Sequence, residues 1–479
     1  MVHLRVRPMN RLDRFFEISA RGSTLGAEVR GGLVTFIAMA YIIVLNPIIL
    51  SSSDDVEGNS LQFAQVSATT ALAAGVMTIL FGLIARLPFA FAAGLGINSF
   101  LATTVVGDVT WPEAMGLVVI NGLIIVLLAV TGLRRLVFDA VPMQLKLAIT
   151  AGIGLFILFI GLVDAGFVNS TGLASPPVGL GAGGLGSINT VPTLIFVITL
   201  LVTGVLVARR VRGGILIGLV AGTVIAVVVE AIWDLGSAQD KAGGWSLSVP
   251  QLSGSPFALP DLSLVGEFSL TGAFERIGIL AAVMLVFTLV FANFFDAMGT
   301  FTGLSREAGL SDDRGTFPRL RSALIVEGAG AAVGGASSAS SNTVFIESGA
   351  GIEEGARTGL ANLITGALFL AAMFVSPLAS IVPTEVAAAA LVVVGAMMVS
   401  HLRHIELSEF SVALPVVLTV AAMPFTYSIA NGIGVGFISW VVVRSGAGKA
   451  REISPLLWVV AAGFLFYFAR SWIETLMGV

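Results

Sequence analysis

From Gly31 to Leu50 the chain carries no charged side chain, and stretches of this kind recur along its whole length. A helix needs about 20 apolar residues to cross a hydrocarbon core. Inside that core only helices and closed barrels satisfy their own backbone hydrogen bonds. Runs this long are helical, so the chain reads as an all-α polytopic membrane protein. Composition agrees: 56% of the 479 residues are apolar and 11% are charged, a balance foreign to soluble domains. The first run is too long for a signal-peptide core and no small-residue cleavage site follows it, so it is read as a retained span. There is no cysteine, which excludes disulfides and leaves the redox compartment unread.

In chain order the apolar stretches fall near 31–50, 66–85, 88–106, 113–133, 141–164, 190–208 and 214–235. After a polar loop come 274–298, 319–337, 341–355, 357–381, 384–400, 408–425 and 429–444, giving about fourteen crossings. Charge supplies an independent check. Basic residues follow every second span: Arg86, then Arg134 and Arg135, then Arg209, Arg210 and Arg212, then Arg306, Arg314, Arg319 and Arg321. Arg357, Arg403 and the Arg444, Lys449, Arg451 group continue the series, and Arg5, Arg7, Arg11, Arg14, Arg21 and Arg30 precede the first span. The alternate loops hold little beyond Lys241 and Arg276. That pattern obeys the positive-inside rule and puts the N-terminus in the cytoplasm.

The division expected is a cytoplasmic segment 1–30, a first seven-span half 31–235, an external loop 236–273, a second half 274–444 and a C-terminal segment 445–479. The Gly-, Ser- and Pro-rich loops 165–189 and 236–273 read as turns more readily than as a folded cap. The last apolar run, 455–469, either crosses once more or lies along the interface, and Trp458, Tyr467 and Trp472 suit both placements.

Two stretches break the helical pattern in matching places, third and tenth. The third has Pro88, Gly94 and Gly96 with Asn98 beyond. The tenth has a short β-like run, Thr343 to Ile346, before Glu347, Gly349 and Gly351. Paired interrupted segments in corresponding positions mark a transporter site near the bilayer midplane. Irregular backbone survives there only where it is buried or lines a cavity, and opposed half-helix N-termini offer free N–H groups to a polar ligand.

Acidic residues fall in the same places. Asp296 sits inside an apolar run with Asn293 and Thr300 on its helical face, and Glu347 sits in the tenth segment. An ionised carboxylate at membrane depth is costly, so it faces a cavity or a partner; the alternative is a helix-end Asp that merely reaches water. Glu347, as an acceptor-only group, suits ring N–H donors, or else caps a half-helix. Thr300 either faces the ligand or bonds back to its own helix, and Glu327 is either a proton relay or a packing partner. Asn98 and Gly96 join the candidate site, ahead of Asn46 and Asn431. Phe91, Phe100 and Phe294 read as packed rings, and Phe345, close to Glu347, as the best ring to meet a base. His401 and His404 lie in a basic loop, away from any carboxylate cluster, so no metal site is expected.

Several longer motifs resemble one family. TFIAMAYIIVLNP at 35–47, FFDAMGTFTGL at 294–304, FIESGAGIEEGARTGL at 345–360, SPLASIVP at 376–383 and MPFTYSIANGIGVGFISW at 423–440 resemble the adenine/guanine/hypoxanthine permeases. These are the AzgA-like branch of the nucleobase–cation symporters, related to the uracil and xanthine permeases. The chain departs from the family pattern at SSASSN before segment ten, at Ala93 and at Glu327.

The resemblance implies two inverted seven-span repeats. A core would comprise 31–133 and 274–381, a gate 141–235 and 384–444, with short antiparallel strands in spans three and ten. It implies a purine nucleobase gripped by Asp296 and Glu347 between those strands, beside Phe345, Ile346, Ser348, Thr300, Asn98 and Gly96. Asp296, Glu347 and Glu327 are the candidates for proton coupling, since carboxylates carry protons and no cage of oxygen ligands for sodium is evident. A homodimer in the cytoplasmic (inner) membrane is implied as well. No cofactor and no nucleic-acid partner are expected, and the chain is expected not to be an enzyme. Rival readings are an anion transporter of the same fold, a channel, and an intramembrane hydrolase. The last lacks any nucleophile elbow, zinc motif or phosphate loop.

Overall fold

The computed structural model describes residues 11–132, 140–172, 175–181, 188–246, 248–251, 255–311 and 317–477. Arg5, Arg7, Arg134, Arg135 and Arg314, part of the charge pattern above, lie outside these residues. The first half holds α1 (Arg11–Phe16), α2 (Leu25–Met39), α3 (Ile42–Ser51), α4 (Phe63–Ile84), β1 (Phe91–Ala93), α5 (Leu95–Phe100) and α6 (Trp111–Thr131). It continues with α7 (Met143–Asp164), the hairpin β2 (Val168–Ser170) and β3 (Val178–Leu180), α8 (Val191–Ala208) and α9 (Gly214–Trp233). The second half holds α10 (Gly272–Ile277), α11 (Ile279–Glu307), α12 (Leu320–Ala336), β4 (Asn342–Val344), α13 (Ser348–Glu353), α14 (Leu360–Ala372) and α15 (Ser376–Ala379). It closes with α16 (Thr384–Val399), α17 (Phe410–Phe425), α18 (Ile429–Gly446) and α19 (Pro455–Met477).

Among the described residues ten helical stretches are long and apolar enough to cross a membrane, and Leu95–Val105, Phe410–Phe425 and Pro455–Ala469 are shorter apolar helices. The stretch 319–337 forms the continuous helix α12, which is not among these, and 88–106 and 341–355 are the interrupted segments. The largest difference is at α11. This helix runs on through the polar residues after Met298 to Glu307, so FFDAMGTFTGL lies inside a helix and not at its end. The loop 165–189 carries the β2–β3 hairpin, Val168 opposite Leu180, where turns alone were expected. The strand of segment ten is Asn342–Val344, starting one residue before and ending two before the expected Thr343–Ile346.

Local chemistry sets several helix ends. Thr24 accepts the Ala27 N–H at the start of α2, and Thr110 with Glu113 forms a reciprocal capping box on α6. Ser428 does the same for α18 through the Asn431 N–H. Between helices, small residues allow backbones to touch. A Cβ on Gly328 would lie 2.6 Å from Val126 N and 2.8 Å from Gly122 O, so α6 and α12 meet backbone to backbone. Gly154 and Gly395 do the same for α7 and α16, where a Cβ on Gly395 would lie 2.5 Å from Gly154 O. Dispersion over such close surfaces is what holds helices together in lipid.

The helices pack chiefly in two groups. In one, α12 lies on α6 and α4, α14 on α4 and α2, and α13 on α2. In the other, α16 and α17 lie on α7, α9 on α8, and α18 on α17. The C-terminal α19 packs on α18 and α11 through Leu457, Val460, Ala461 and Phe464, with Trp458 and Val459 on its exposed side.

The basic loops meet at one end of the first group. Arg21 donates to the carbonyls of Arg86 (2.7 Å) and Arg357 (3.3 Å), while Glu17 pairs with Arg21, Arg86 and Arg319. Arg30 and Arg212 share Glu354. The alternate loops meet elsewhere: Arg276 pairs with Glu57 and Glu113, and Asp55 accepts the Trp111 N–H. Residues far apart in sequence but alike in charge are thus brought to a common face.

Candidate functional site

The two interrupted segments come together. β1 and β4 pair antiparallel, with Phe91 opposite Val344, Ala92 opposite Thr343 and Ala93 opposite Asn342. The Gly94 N–H reaches Ser341 O at 2.9 Å and the Phe345 N–H reaches Ala90 O at 3.0 Å, extending the ladder at both ends. Side chains satisfy the backbone groups left over. Thr78 Oγ1 accepts the Phe91 N–H at 2.9 Å, and Ser348 Oγ accepts the Ala90 N–H at 2.9 Å. An unpaired backbone group at this depth would cost several kcal/mol, so two three-residue strands persist where a helix would otherwise run.

Asp296 comes to the end of this small sheet from α11. It lines a cavity of about 20 Å³ with Gly94, Gly96, Ile97, Ala292 and Thr343 on one side and Ile153 and Met398 on the other. No described residue donates a hydrogen bond to its carboxylate. The wall opposite comes from α7 and from the last turn of α16, so the cavity lies between the two packing groups. At Gly96 the approach is close: a Cβ there would lie 2.6 Å from Ile153 Cγ2.

Glu327 is fully buried and accepts Thr343 Oγ1–H at 2.5 Å and the Val344 N–H at 3.2 Å. Thr343 therefore touches the cavity and Glu327 at once. Glu347 is half-buried at the start of α13 and accepts the Tyr41 phenol at 2.5 Å. Both glutamates lie near enough to feel the charge of Asp296.

The other candidates are more scattered. Asn98 is buried and donates to Asn46 Oδ1 at 2.5 Å, with Asn46 in turn bonded to Thr70 and to Ala339 O; neither amide lines the cavity. Ser348 is committed to the Ala90 N–H. Thr300 is half-buried one turn beyond Asp296. Ile346 is exposed against Gly303, and Phe345 is buried beside it. Phe91, Phe100 and Phe294 are all buried, Phe91 against Phe81 with ring centroids 4.8 Å apart. Asn293 is buried with both amide atoms unpartnered. His401 and His404 are exposed, and no group of metal-ligating side chains occurs among the described residues.

Sequence reasoning passed over Tyr41, Thr343, Ile153 and Met398. Tyr41 carried a signal, being one of only 3 tyrosines in the chain and lying inside an apolar stretch. Ile153 and Met398 carried none, because an apolar residue facing a cavity reads like any core residue.

The profile of the permease family matches residues 26–435. The chain belongs to that family. Among relatives of this permease, the guanine/hypoxanthine permease PbuG of Bacillus subtilis is 37% identical over 466 residues, covering 95% of this chain and 99% of the relative. The adenine permease AdeP of Escherichia coli is 33% identical over 457 residues, 95% of each chain. In fold, the permease is similar to the transmembrane domain of the cyanobacterial bicarbonate transporter BicA. The TM-score is 0.62 at 17% identity, over 85% of this chain and 97% of that one. The permease is thus a multi-pass membrane protein and a transporter, not an enzyme, as the motifs implied.

Proposed function

We propose that this permease is a secondary active transporter that imports purine nucleobases, hypoxanthine and guanine first, by proton symport. The observation that carries the reading is Asp296: an acid without a hydrogen-bond donor, on a cavity between the paired strands and the facing helices. Relatives named for guanine, hypoxanthine and adenine support the substrate class. Hypoxanthine and guanine present N–H donors on both ring edges, which two carboxylates, Asp296 and Glu347, can accept, and charge-assisted bonds in a dry site are the strong ones. Xanthine's additional carbonyl would set acceptor against acceptor. An acid on the cavity, with no basic side chain among its liners, also disfavours anions as substrates.

The proposed path requires movement. A cavity of about 20 Å³ has room for about one water, so a purine enters only when α7 and α16 part from the sheet. Residues 31–133 and 274–381 act as a core that slides against a gate of 141–235 and 384–444, in fourteen crossings arranged as two inverted repeats. The N-terminus is cytoplasmic and the functional unit is a homodimer. Protons reach Asp296, Glu347 and Glu327, the last linked to the cavity through Thr343.

The test is labelled hypoxanthine uptake by cells lacking their own purine permeases. Unlabelled guanine should compete best, adenine less, and xanthine and uracil least. Collapse of the proton gradient should stop uptake, with or without sodium. Best competition by uracil or xanthine would refute the substrate assignment, and sodium-dependent uptake indifferent to the proton gradient would refute the coupling.

A further inference from the structure

An apolar groove of about 520 Å³, sharing no lining residue with the Asp296 cavity, lies between the two packing groups on the outside of the molecule. One wall is α2 with α3, from Phe36 to Val44; the floor is the α14–α15 region at Ala372 and Ala379; the other wall is α9. Leu216, Val220, Val224 and Val228 recur at helical spacing along α9, and the last three are about half exposed. The single polar liner, Thr223, gives its hydroxyl to Leu219 O at 2.7 Å, so nothing in the groove asks for a hydrogen bond. From Leu216 to Val228 it runs roughly 18 Å along the helix, a little over half the hydrocarbon thickness of about 30 Å. That is the depth of one leaflet.

The groove has a charged end. α9 begins at Gly214, directly after Arg209, Arg210 and Arg212, and Gly213 is set against α2, where a Cβ would meet Ile37 Cγ2 at 2.6 Å. The basic turn is therefore held at the Phe36–Leu216 mouth. Arg212 and Arg30 share Glu354, while Arg209 and Arg210 are exposed and form no ion pair with a described acid. An apolar slot one leaflet deep, opening beside two uncompensated guanidinium groups, matches a lipid with an anionic headgroup.

We propose that this groove holds an acyl chain of an anionic phospholipid, with its phosphate at Arg209 and Arg210. The chain replaces bulk lipid in a slot shaped for it, and the headgroup supplies the selectivity, since basic residues beside a membrane favour anionic over zwitterionic lipid. The assignment is independent of the transported substrate.

The test uses the full chain, reconstituted in phosphatidylcholine containing phosphatidylglycerol, re-extracted in mild detergent and weighed by native mass spectrometry. The wild type should retain phosphatidylglycerol in preference to phosphatidylcholine. Arg209→Ala with Arg210→Ala, both at exposed positions, should lower that retention about fivefold for each arginine without changing the unfolding temperature of the lipid-free protein. Val224→Trp should displace the lipid, while Leu201→Trp, on the exposed face of α8, should not. Equal retention of the two lipids by the wild type, or unchanged retention by the double arginine variant, overturns the proposal. So does cross-linking between copies of Val224→Cys, the sole cysteine in such a chain, because the groove would then belong to a second copy of the protein.

Discussion

Tyr41 and Glu347, far apart in sequence, are joined by a 2.5 Å hydrogen bond from phenol to carboxylate. Tyr41 lies at the break between α2 and α3, fully buried, while Glu347 stands just before the first residue of α13 and its side chain makes no capping bond to it. One oxygen of Glu347 is thereby held in place; under the proposed function the other accepts from the base. Tyr41→Phe removes the donor but keeps the ring. An acceptor that loses its partner in a buried site costs about 1–3 kcal/mol, so apparent affinity for hypoxanthine should change by about tenfold. Glu347→Gln should be milder than loss of Asp296 and should alter the ranking of competing bases. Uptake kinetics across a hypoxanthine concentration series measure both; unchanged KM and ranking in both variants would remove Glu347 from the site.

Gly96 and Ile153 test whether the cavity is a seam that must close. With Ile153 Cγ2 only 2.6 Å from where a Cβ would be, Gly96→Ala forces the facing helices apart. Transport should fall at least severalfold in Gly96→Ala, and Gly96→Ala with Ile153→Ala should recover much of it, because the second change removes the clashing methyl. Failure of the double variant to exceed the single one, at equal membrane abundance, would show that the contact does not limit transport.

A pH prediction follows from the loop before α17. Lys449, Ser411 and Arg444 all donate to Glu409, Lys449 Nζ at 2.7 Å and Arg444 Nη1 at 3.0 Å. Together they push its carboxyl down from an ordinary 4.5 to about 2. A depressed folded-state value means stability that is present above the unfolded value and lost as pH falls from about 4.5 towards 2. The Glu409 side chain is partly exposed, so salt screens these contacts. In detergent at low salt, Glu409→Gln should unfold at a lower temperature than the wild type at neutral pH, and the gap should close as pH falls through that window. A gap independent of pH and salt would mean the glutamate acts through packing and not charge.

The architecture was legible because hydrocarbon imposes helix length, and the charge alternation marked which loops share a face; Arg21, Arg86, Arg319 and Arg357 do meet. The two broken segments stood out by their glycines and polar residues, and their pairing as β1 and β4 follows from backbone groups that cannot stay unpaired. Asp296 was visible because a carboxylate inside an apolar run needs a reason. Less was visible where chemistry is ordinary. The polar stretch after Met298 looked like a helix end, yet α11 continues to Glu307, with Ser305 buried and the Thr302 hydroxyl bonded back to Met298 O. Ile153 and Met398 look like core until their helices are placed against the sheet. Asn98 looked like a cavity liner, and only the fold turns it towards Asn46.

The most direct measurement of the account is uptake of labelled hypoxanthine by Asp296→Asn in cells without other purine permeases, with the amount of protein in the membrane measured in parallel. The amide preserves size, so insertion should be normal. It also replaces an acceptor with a donor opposite the base's N–H, a loss of a charge-assisted bond worth about 1.5–3 kcal/mol before any repulsion. Uptake should fall to near background at wild-type abundance. Uptake close to wild type would contradict it and return Asp296 to a structural role.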